Sequence, residues 1–313
     1  MNSDRSTVSR RAFLQSAAGL SAGLTFAGRL SAGQEAMPPL PKVRFGNAEI
    51  TRLIIGSNPF YGYSHFNMVL DRTMREWMTQ DRKMEVLHRC EQCGINTWQL
   101  HYNDQPVEDF KRYRAEGGKM NLILLGDFAL MKDLTLLPKV AKEMAPLGIG
   151  HHGNRTDERF RNGEMDKVRE FLKAVRDTGV MVGLSAHNPE VIDTVESQGW
   201  DIDYYQTCLY RVSRTPDEAR KVLGEAPIGE IYLEKDPERM CKVIRQTKKP
   251  CLAFKVLGAG RSINSPQAIE SAFRFALTNI KPTDAIIVGM FPRYKDEPRE
   301  NTELVRRILT PTD

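Results

Sequence analysis

The sequence predicts an α/β protein, a (β/α)8 TIM barrel with an N-terminal β-hairpin. Eight short apolar runs alternate with amphipathic helical runs, and Gly or Asn precedes many of the strand-like runs. The alternative, a doubly wound open sheet, predicts a glycine-rich phosphate turn after the first strand. Residues 56–62 at that position read Gly-Ser-Asn-Pro-Phe-Tyr-Gly and lack G-x-G-x-x-G. The closed barrel is favoured, and its active site is expected at the carboxyl ends of the strands.

The composition is that of a globular protein. The 313 residues are 41% hydrophobic and 27% charged, with a formal net charge of +5. The basic residues are scattered rather than clustered, which predicts no nucleic-acid partner. The five cysteines are odd in number and give no sign of a disulfide framework.

The N-terminus predicts an export signal over residues 1–36, so that the barrel spans residues 37–313. Ser-Arg-Arg-Ala-Phe-Leu-Gln at 9–15 precedes a weakly apolar, small-residue run over 16–28. Paired arginines followed by Phe-Leu resemble the twin-arginine (Tat) signal, which implies the Tat export machinery as a partner and a periplasmic or exported protein. An amphipathic leader or short anchor is the alternative. The run is too short and glycine-rich to predict a stable membrane span.

The elements follow in order after a proline-rich linker at 37–41. Residues 43–50 predict a hairpin with a Gly-Asn turn. The predicted strands are Leu53–Gly56, Thr97–His101, Leu122–Gly126, Leu147–Gly150, Met181–Ser185, Tyr204–Thr207, Leu252–Val256 and Ala285–Val288. The predicted helices are Asp81–Cys93, Val107–Ala115, Leu134–Met144, Glu164–Thr178, Pro189–Gln198, Pro237–Thr247, Pro266–Thr278 and Glu300–Leu309.

Polar side chains stand at the ends of most predicted strands. Five of the six histidines lie there, and only His88 lies on a predicted helix. The predicted catalytic residues are His101, Asp127, His151, His152 and Lys255. The predicted substrate-binding residues are Asn58, His65, Gln99, Asn154, Ser185, His187 and Gln206. Imidazole transfers protons near neutral pH and also binds metals.

Two kinds of chemistry remain open for this histidine cluster. A divalent metal held by His101, Asp127, His152 and His187 would acidify a bound water or polarise a carbonyl. The same residues also suit a metal-free acid/base site. Established ligand spacings such as H-E-x-x-H are absent from the sequence.

Lys255 interrupts a run that otherwise suits a buried strand, Leu-Ala-Phe-Lys-Val-Leu at 252–257. A lysine there costs burial free energy unless it is paired or solvated at the barrel mouth. Three roles are open: binding of an anionic or hydrogen-bonding substrate group, Schiff-base catalysis, and a structural ion pair.

The order of several motifs resembles that of the aldo/keto reductases, barrels preceded by a hairpin that reduce carbonyls with NADPH. The motifs are Arg-Phe-Gly-Asn to Ile-Ile-Gly over 44–56, Gly-Ile-Asn-Thr-Trp at 94–98, Gly-Leu-Ser-Ala-His-Asn-Pro at 183–189, Tyr-Gln at 205–206, Ala-Phe-Lys-Val-Leu-Gly at 253–258, and Ile-Val-Gly at 287–289 with Glu-Asn at 300–301. The resemblance implies that NADPH contacts Ser185, Gln206, Gly289 and Asn301.

The chain departs from that family at most of the catalytic positions. Gln99 stands where the family has aspartate, and Asp104, with Tyr102 nearby, where it has tyrosine. The lysine position falls at Gly126 or Asp127, and only the histidine has a counterpart, in His151 or His152. The resemblance therefore describes a divergent member that lacks most of the catalytic tetrad.

These observations predict an exported barrel enzyme with a His/Asp site, metal-assisted or metal-free. Its substrate would be a small, polar, sugar-like or hydroxy-carbonyl compound, and lyase, isomerase and hydrolase chemistry are all open. One alternative is an NADPH-dependent aldo/keto reductase, an oxidoreductase with a rearranged proton donor. A second alternative is a non-catalytic periplasmic binding barrel.

Overall fold

The computed structural model describes residues 38–310, in which eight parallel strands close into a barrel. The strands are β1 (Lys42–Phe45), β2 (Ala48–Thr51), β3 (Leu53–Gly56), β4 (Thr97–His101), β5 (Asn121–Gly126), β6 (Gly148–His151), β7 (Met181–Ala186), β8 (Tyr204–Cys208), β9 (Cys251–Phe254) and β10 (Ala285–Gly289). β1 and β2 form an antiparallel hairpin, and the barrel order is β10-β3-β4-β5-β6-β7-β8-β9. The predicted TIM barrel with an N-terminal hairpin is confirmed. The predicted signal segment, 1–36, lies outside the described residues.

The helices surround the barrel. They are α1 (Met68–Trp77), α2 (Gln80–Gln92), α3 (Asp104–Ala115), α4 (Phe128–Lys132), α5 (Leu137–Met144), α6 (Gly153–Arg161), α7 (Met165–Arg176), α8 (Pro189–Ser197), α9 (Pro216–Leu223), α10 (Asp236–Gln246), α11 (Pro266–Asn279) and α12 (Glu297–Leu309). The sequence did not predict α1, α4, α6 and α9. Each buries at most one apolar side chain, and α6 buries only Gly153, Thr156 and Asp157, so none has the broad apolar face of a core-facing helix. None of the helices within 38–310 is long and apolar enough to cross a bilayer.

The hairpin covers the amino-terminal end of the barrel. Phe45 lies edge-on to Tyr204, with ring centroids 4.8 Å apart. Ile50 and Ile54 belong to the same buried cluster, which also contains Ile287. Burying these side chains removes apolar surface from water and fixes the hairpin on this end of the barrel. Polar groups at the carboxyl ends of the strands stand at the opposite end.

Five barrel strands end at different residues from those predicted, and the ends of two of them bear on the site. β6 runs on to His151, and β9 stops at Phe254, before Lys255. Lys255 leaves the extended conformation with a φ of +60°, and its carbonyl accepts a hydrogen bond from the Gly258 amide at 2.8 Å. The lysine therefore lies in the loop after the strand and not within the sheet.

Candidate active site

A cavity of about 290 Å³ lies at the carboxyl ends of the barrel strands. It is lined by Asn58, Tyr63, His65, Gln99, His101, Leu125, Asp127, His152, Gly153, Asn154, Ser185, His187, Gln206, Phe254 and Lys255. Every predicted substrate-binding residue is in this set, as are the predicted catalytic residues other than His151. The cavity therefore brings together side chains from the loops and ends of seven consecutive barrel strands, β3 to β9.

His187 and Asp157 form a buried pair beside the cavity. His187 Nδ1 lies 3.1 Å from Asp157 Oδ2, and the His187 backbone amide donates to the same oxygen at 3.0 Å. A carboxylate accepts here, so His187 Nδ1 carries the proton and donates it. The Nε2 lone pair is then left on a ring that lines the cavity. This tautomer equips His187 to accept a proton at Nε2.

Gly153, the first residue of α6, allows this part of the helix to approach the His187 ring. A Cβ added at Gly153 would lie 2.9 Å from both His187 Cε1 and Ser185 Oγ. Any larger residue would therefore displace the ring or the serine hydroxyl. Asp157 lies one helical turn further along α6, where its carboxylate meets His187.

His152 has the opposite arrangement. Its Nδ1 is buried and has no hydrogen-bond partner among the described residues, while its ring lines the cavity. A buried N–H without an acceptor costs free energy, and an imidazolium would carry that N–H. Burial lowers the pKa of His152, which nearby Asp127 only partly offsets. The neutral form with its proton on Nε2 is therefore favoured, and this N–H can donate to a ligand.

His101 and Asp127 stand on neighbouring strand ends. His101 Nδ1 lies 3.2 Å from Ser57 Oγ, and its ring lies edge-on to Tyr61 at 5.0 Å between centroids. Burial lowers the pKa of His101 to about 4, although the charge of Asp127 opposes the shift. Asp127 accepts a hydrogen bond from the Phe128 amide at 2.8 Å and so caps α4.

His65 is held by a carboxylate that sequence reasoning missed. Its Nδ1 lies 2.7 Å from Glu230 Oε1, and the Tyr232 hydroxyl donates to Glu230 Oε2 at 2.9 Å. Burial alone would raise the pKa of Glu230, but His65 and the charge of Lys255 lower it to about 2. Both oxygens of Glu230 are therefore occupied.

Three predicted residues lie outside the cavity. His151 Nδ1 lies 2.7 Å from Thr156 Oγ1, and its ring packs 5.1 Å from Phe171 on the helix side of the barrel wall. Burial lowers the pKa of His151 to about 3. Asn301 is buried within α12, and a Cβ on Gly289 would lie 2.7 Å from Pro59 Cδ.

Two of the four residues predicted to contact NADPH lie in the cavity, and two lie outside it. Ser185 and Gln206 line the cavity, whereas Gly289 and Asn301 do not. Pro59 fills the Cβ direction at Gly289, while the residue itself is exposed. The cavity therefore contains two of the four residues implied for NADPH, and the nucleotide site stays a prediction.

The four predicted metal ligands line the same cavity without forming a metal site. Within residues 38–310, no three His, Cys, Asp or Glu side chains converge in a way that could hold an ion. His187 Nδ1 is engaged by Asp157, and His101 Nδ1 lies beside Ser57. Both rings therefore keep Nε2 available for a proton or a ligand.

Sequence reasoning missed Asp157, Glu230 and Tyr63. Asp157 lies on the unpredicted α6, and Glu230 lies in a long loop after β8. Gly-Asn-Arg-Thr-Asp directly after the His-His pair was the one local signal for Asp157, because it places a carboxylate one turn into a helix. No local pattern identifies Glu230.

Acidification is expected to destabilise the fold through its neutral histidines. The pKa of His101 is about 4 in the folded protein against an ordinary value of 6.5. Between these values the unfolded chain binds more protons, so stability is full above about pH 6.5 and is lost as the pH falls toward 4. Urea unfolding at pH 7 and pH 5.5 should differ by about 1 kcal/mol on account of His101 alone. His101→Gln should reduce the difference by that amount, and an unchanged pH dependence would contradict the assignment.

Comparison with known proteins identifies the fold. No family model and no curated protein matches the sequence. A truncated 3-deoxy-D-arabino-heptulosonate 7-phosphate synthase from Thermotoga maritima is 16% identical with a TM-score of 0.50, covering 88% of this chain and 92% of that chain. The protein Gox0644 in its apo form is 12% identical with a TM-score of 0.54, covering 88% of this chain and 90% of that chain. These similarities show the TIM-barrel fold and leave the aldo/keto reductase resemblance a prediction.

Proposed function

We propose that the barrel is an enzyme that transfers protons on a small hydroxy-carbonyl compound, as an isomerase or lyase. The observation that carries the proposal is the contrast between two histidines in one cavity, since Nδ1 has a carboxylate partner in His187 and none among the described residues in His152. His187 has a free Nε2 lone pair because Asp157 holds its other nitrogen, and His152 keeps its proton on Nε2 because Nδ1 has no partner among the described residues. A ring nitrogen with a free lone pair and a ring N–H that can donate, both in one cavity, suit proton transfer on a single substrate.

His187 would act as the base. Its Nε2 takes a proton from the carbon beside the substrate carbonyl, and the Asp157 carboxylate stabilises the imidazolium that forms. The two carboxylate oxygens lie 3.0 and 3.4 Å from the His187 amide, so the orientation of the pair is fixed by backbone as well as side chain.

His152 would stabilise the negative charge that develops on the carbonyl oxygen. A neutral imidazole N–H donates a hydrogen bond there and remains a weak acid, which suits stabilisation of an enolate-like state. Asn58, Gln99 and Gln206 also line the cavity and supply amide groups for hydroxyls. The hydroxyl-binding potential and the volume of about 290 Å³ favour a compact, sugar-like substrate.

We also propose that the chain descends from a reductase-like barrel and that it is exported. The divergent aldo/keto-reductase-like chain would have replaced hydride transfer by proton transfer, and the chemistry described above uses no nicotinamide. The twin-arginine resemblance at residues 9–15 supports export in the folded state through the Tat machinery, and a periplasmic or exported location. Fractionation of cells expressing the full chain, with Arg10→Lys and Arg11→Lys together as the control, tests the export proposal.

Hydrogen exchange in D2O tests the function even while the product is unidentified. The full-length protein is incubated with dihydroxyacetone, glyceraldehyde, hydroxypyruvate, glucose and fructose, and proton NMR follows the C–H signals beside each carbonyl. At least one compound should exchange ~100-fold faster than without protein, because positioned acid/base groups supply that order of acceleration. Exchange at the background rate for every compound would contradict the proposal.

A further inference from the structure

Lys255 is a cavity residue that the proton-transfer mechanism does not use. It lines the cavity, and no hydrogen bond or ion pair of its ammonium group is found among the described residues. Its side chain is half-buried, so the unpaired ammonium loses part of its hydration and no contact within residues 38–310 offsets that cost. An uncompensated lysine beside acid/base groups is therefore a candidate for chemistry.

Glu230, the carboxylate beside Lys255, already has two hydrogen-bonding partners. The charges that act on Lys255 are those of Glu230 and Arg261, together with the Cys208 thiol. Glu230 accepts from His65 at one oxygen and from the Tyr232 hydroxyl at the other, and no ion pair between Glu230 and Lys255 is present among residues 38–310. Burial lowers the pKa of Lys255, and Arg261 lowers it further, while Glu230 and Cys208 oppose the shift.

The backbone at Lys255 is also unusual. Its φ of +60° lies in the left-handed region, which glycine adopts without strain and other residues rarely adopt. The turn is held by the hydrogen bond from the Gly258 amide to the Lys255 carbonyl at 2.8 Å. A side chain retained where glycine would fit better is typical of a functional constraint.

We infer that the Lys255 amine forms a covalent imine with the carbonyl carbon of the substrate. This inference rests on the proposed function, since it requires a carbonyl substrate in the same cavity. It identifies the substrate as an aldehyde or ketone in its open-chain form, and it assigns Lys255 the role of nucleophile.

The step balances without any further reactant. The Nζ lone pair attacks the carbonyl carbon, the C=O π pair becomes an alkoxide, and the cavity's imidazoles move a proton from nitrogen to that oxygen. A second proton, taken up from solvent and delivered by an imidazole, then releases the oxygen as water and leaves a protonated C=N bond, while the imidazole returns to its neutral form. The iminium withdraws electrons from the neighbouring carbon, and His187 Nε2 removes the proton there. Hydrolysis of the imine at the end returns the water and frees the amine.

Borohydride trapping tests the inference on the full-length protein. Dihydroxyacetone, glyceraldehyde or hydroxypyruvate is added, sodium borohydride reduces any imine, and peptide mass spectrometry locates the product. Lys255 should gain the mass of the probe plus two hydrogens minus one water, with about tenfold higher occupancy than any other lysine, because an unprotonated amine reacts and a protonated one does not. Lys249, which is ion-paired to Glu196 at 2.8 Å, is the internal comparison.

Two variants complete the experiment. Lys255→Arg keeps the charge and should lose the label, and Lys255→Gly should lose the label while raising Tm, because glycine removes the backbone strain. Labelling spread over the surface lysines, or no Lys255 product with all three probes, overturns the inference. Hydrogen exchange without borohydride trapping overturns the imine and leaves the proton-transfer proposal standing. Absence of both hydrogen exchange and trapping contradicts both proposals, because they share one cavity.

Discussion

His187→Ala is expected to lower the rate of substrate hydrogen exchange by roughly 10²- to 10⁴-fold, the range for loss of a positioned general base. The reason is the loss of Nε2, the one imidazole nitrogen for which Asp157 fixes a free lone pair. NMR exchange rates at saturating substrate measure the effect, with circular dichroism to verify the fold. A decrease of less than about threefold would show that the proton is taken by another group.

Two matched variants separate chemistry from structure. Asp157→Asn keeps the shape of the side chain but permits its amide to donate to Nδ1, which reverses the tautomer of His187 and should also lower the rate steeply. His88→Ala removes a histidine from the surface of α2, where it lies 3.4 Å from Glu116 and outside the set of residues that line the cavity. That variant should retain the wild-type rate.

Asp109→Ala is expected to lower the free energy of unfolding by about 3–5 kcal/mol, the cost of leaving a buried charge without its partner. Lys83 Nζ on α2 lies 2.7 Å from Asp109 Oδ2 on α3, and the two side chains are 2% and 1% exposed. Lys83 Nζ also lies 4.5 Å from the Tyr61 ring centroid, which cannot replace the carboxylate. Urea unfolding at neutral pH measures the change.

Two control variants distinguish the loss of one charge of the buried ion pair from the loss of both charges. The double variant Lys83→Met with Asp109→Leu removes both charges and should unfold within ~2 kcal/mol of the wild type. Asp177→Ala breaks the ion pair with Lys173 on the surface, where the Lys173 and Asp177 side chains are 77% and 63% exposed. This change should lower the free energy of unfolding by less than about 1 kcal/mol. An Asp109→Ala variant as stable as Asp177→Ala would contradict the account of the buried pair.

The barrel and the location of its cavity could be predicted because their signals are local. Apolar runs bounded by Gly and Asn identify strands, and in a parallel barrel every strand end faces the same side. Residues such as His101 and Gln206, which lie within strands, were therefore assigned to the cavity correctly. The positions of all eight barrel strands were right, although five of them end one or two residues away from the predicted residue.

The hydrogen-bonding partners of those residues could not be predicted, because these contacts form only when segments distant in sequence pack together. Asp157 reaches His187 only after α6 packs on β7, and Glu230 reaches His65 across a separation of 165 residues. The His-His pair was ambiguous for a related reason. Adjacent residues at a strand end point to opposite sides, so a shift of one residue decides whether His151 or His152 enters the cavity.

The histidine ring nitrogens give the most direct test of the central claim, that cavity imidazoles with opposite tautomers handle the substrate. Long-range proton–nitrogen NMR spectra of histidine-labelled protein report the tautomer of all six rings near pH 7. The account predicts Nδ1–H for His187 and Nε2–H for His152, with both signals shifting when an exchanging compound is added and those of His88 and His151 unchanged. The same tautomer in His187 and His152, or a response confined to His88 and His151, would contradict it.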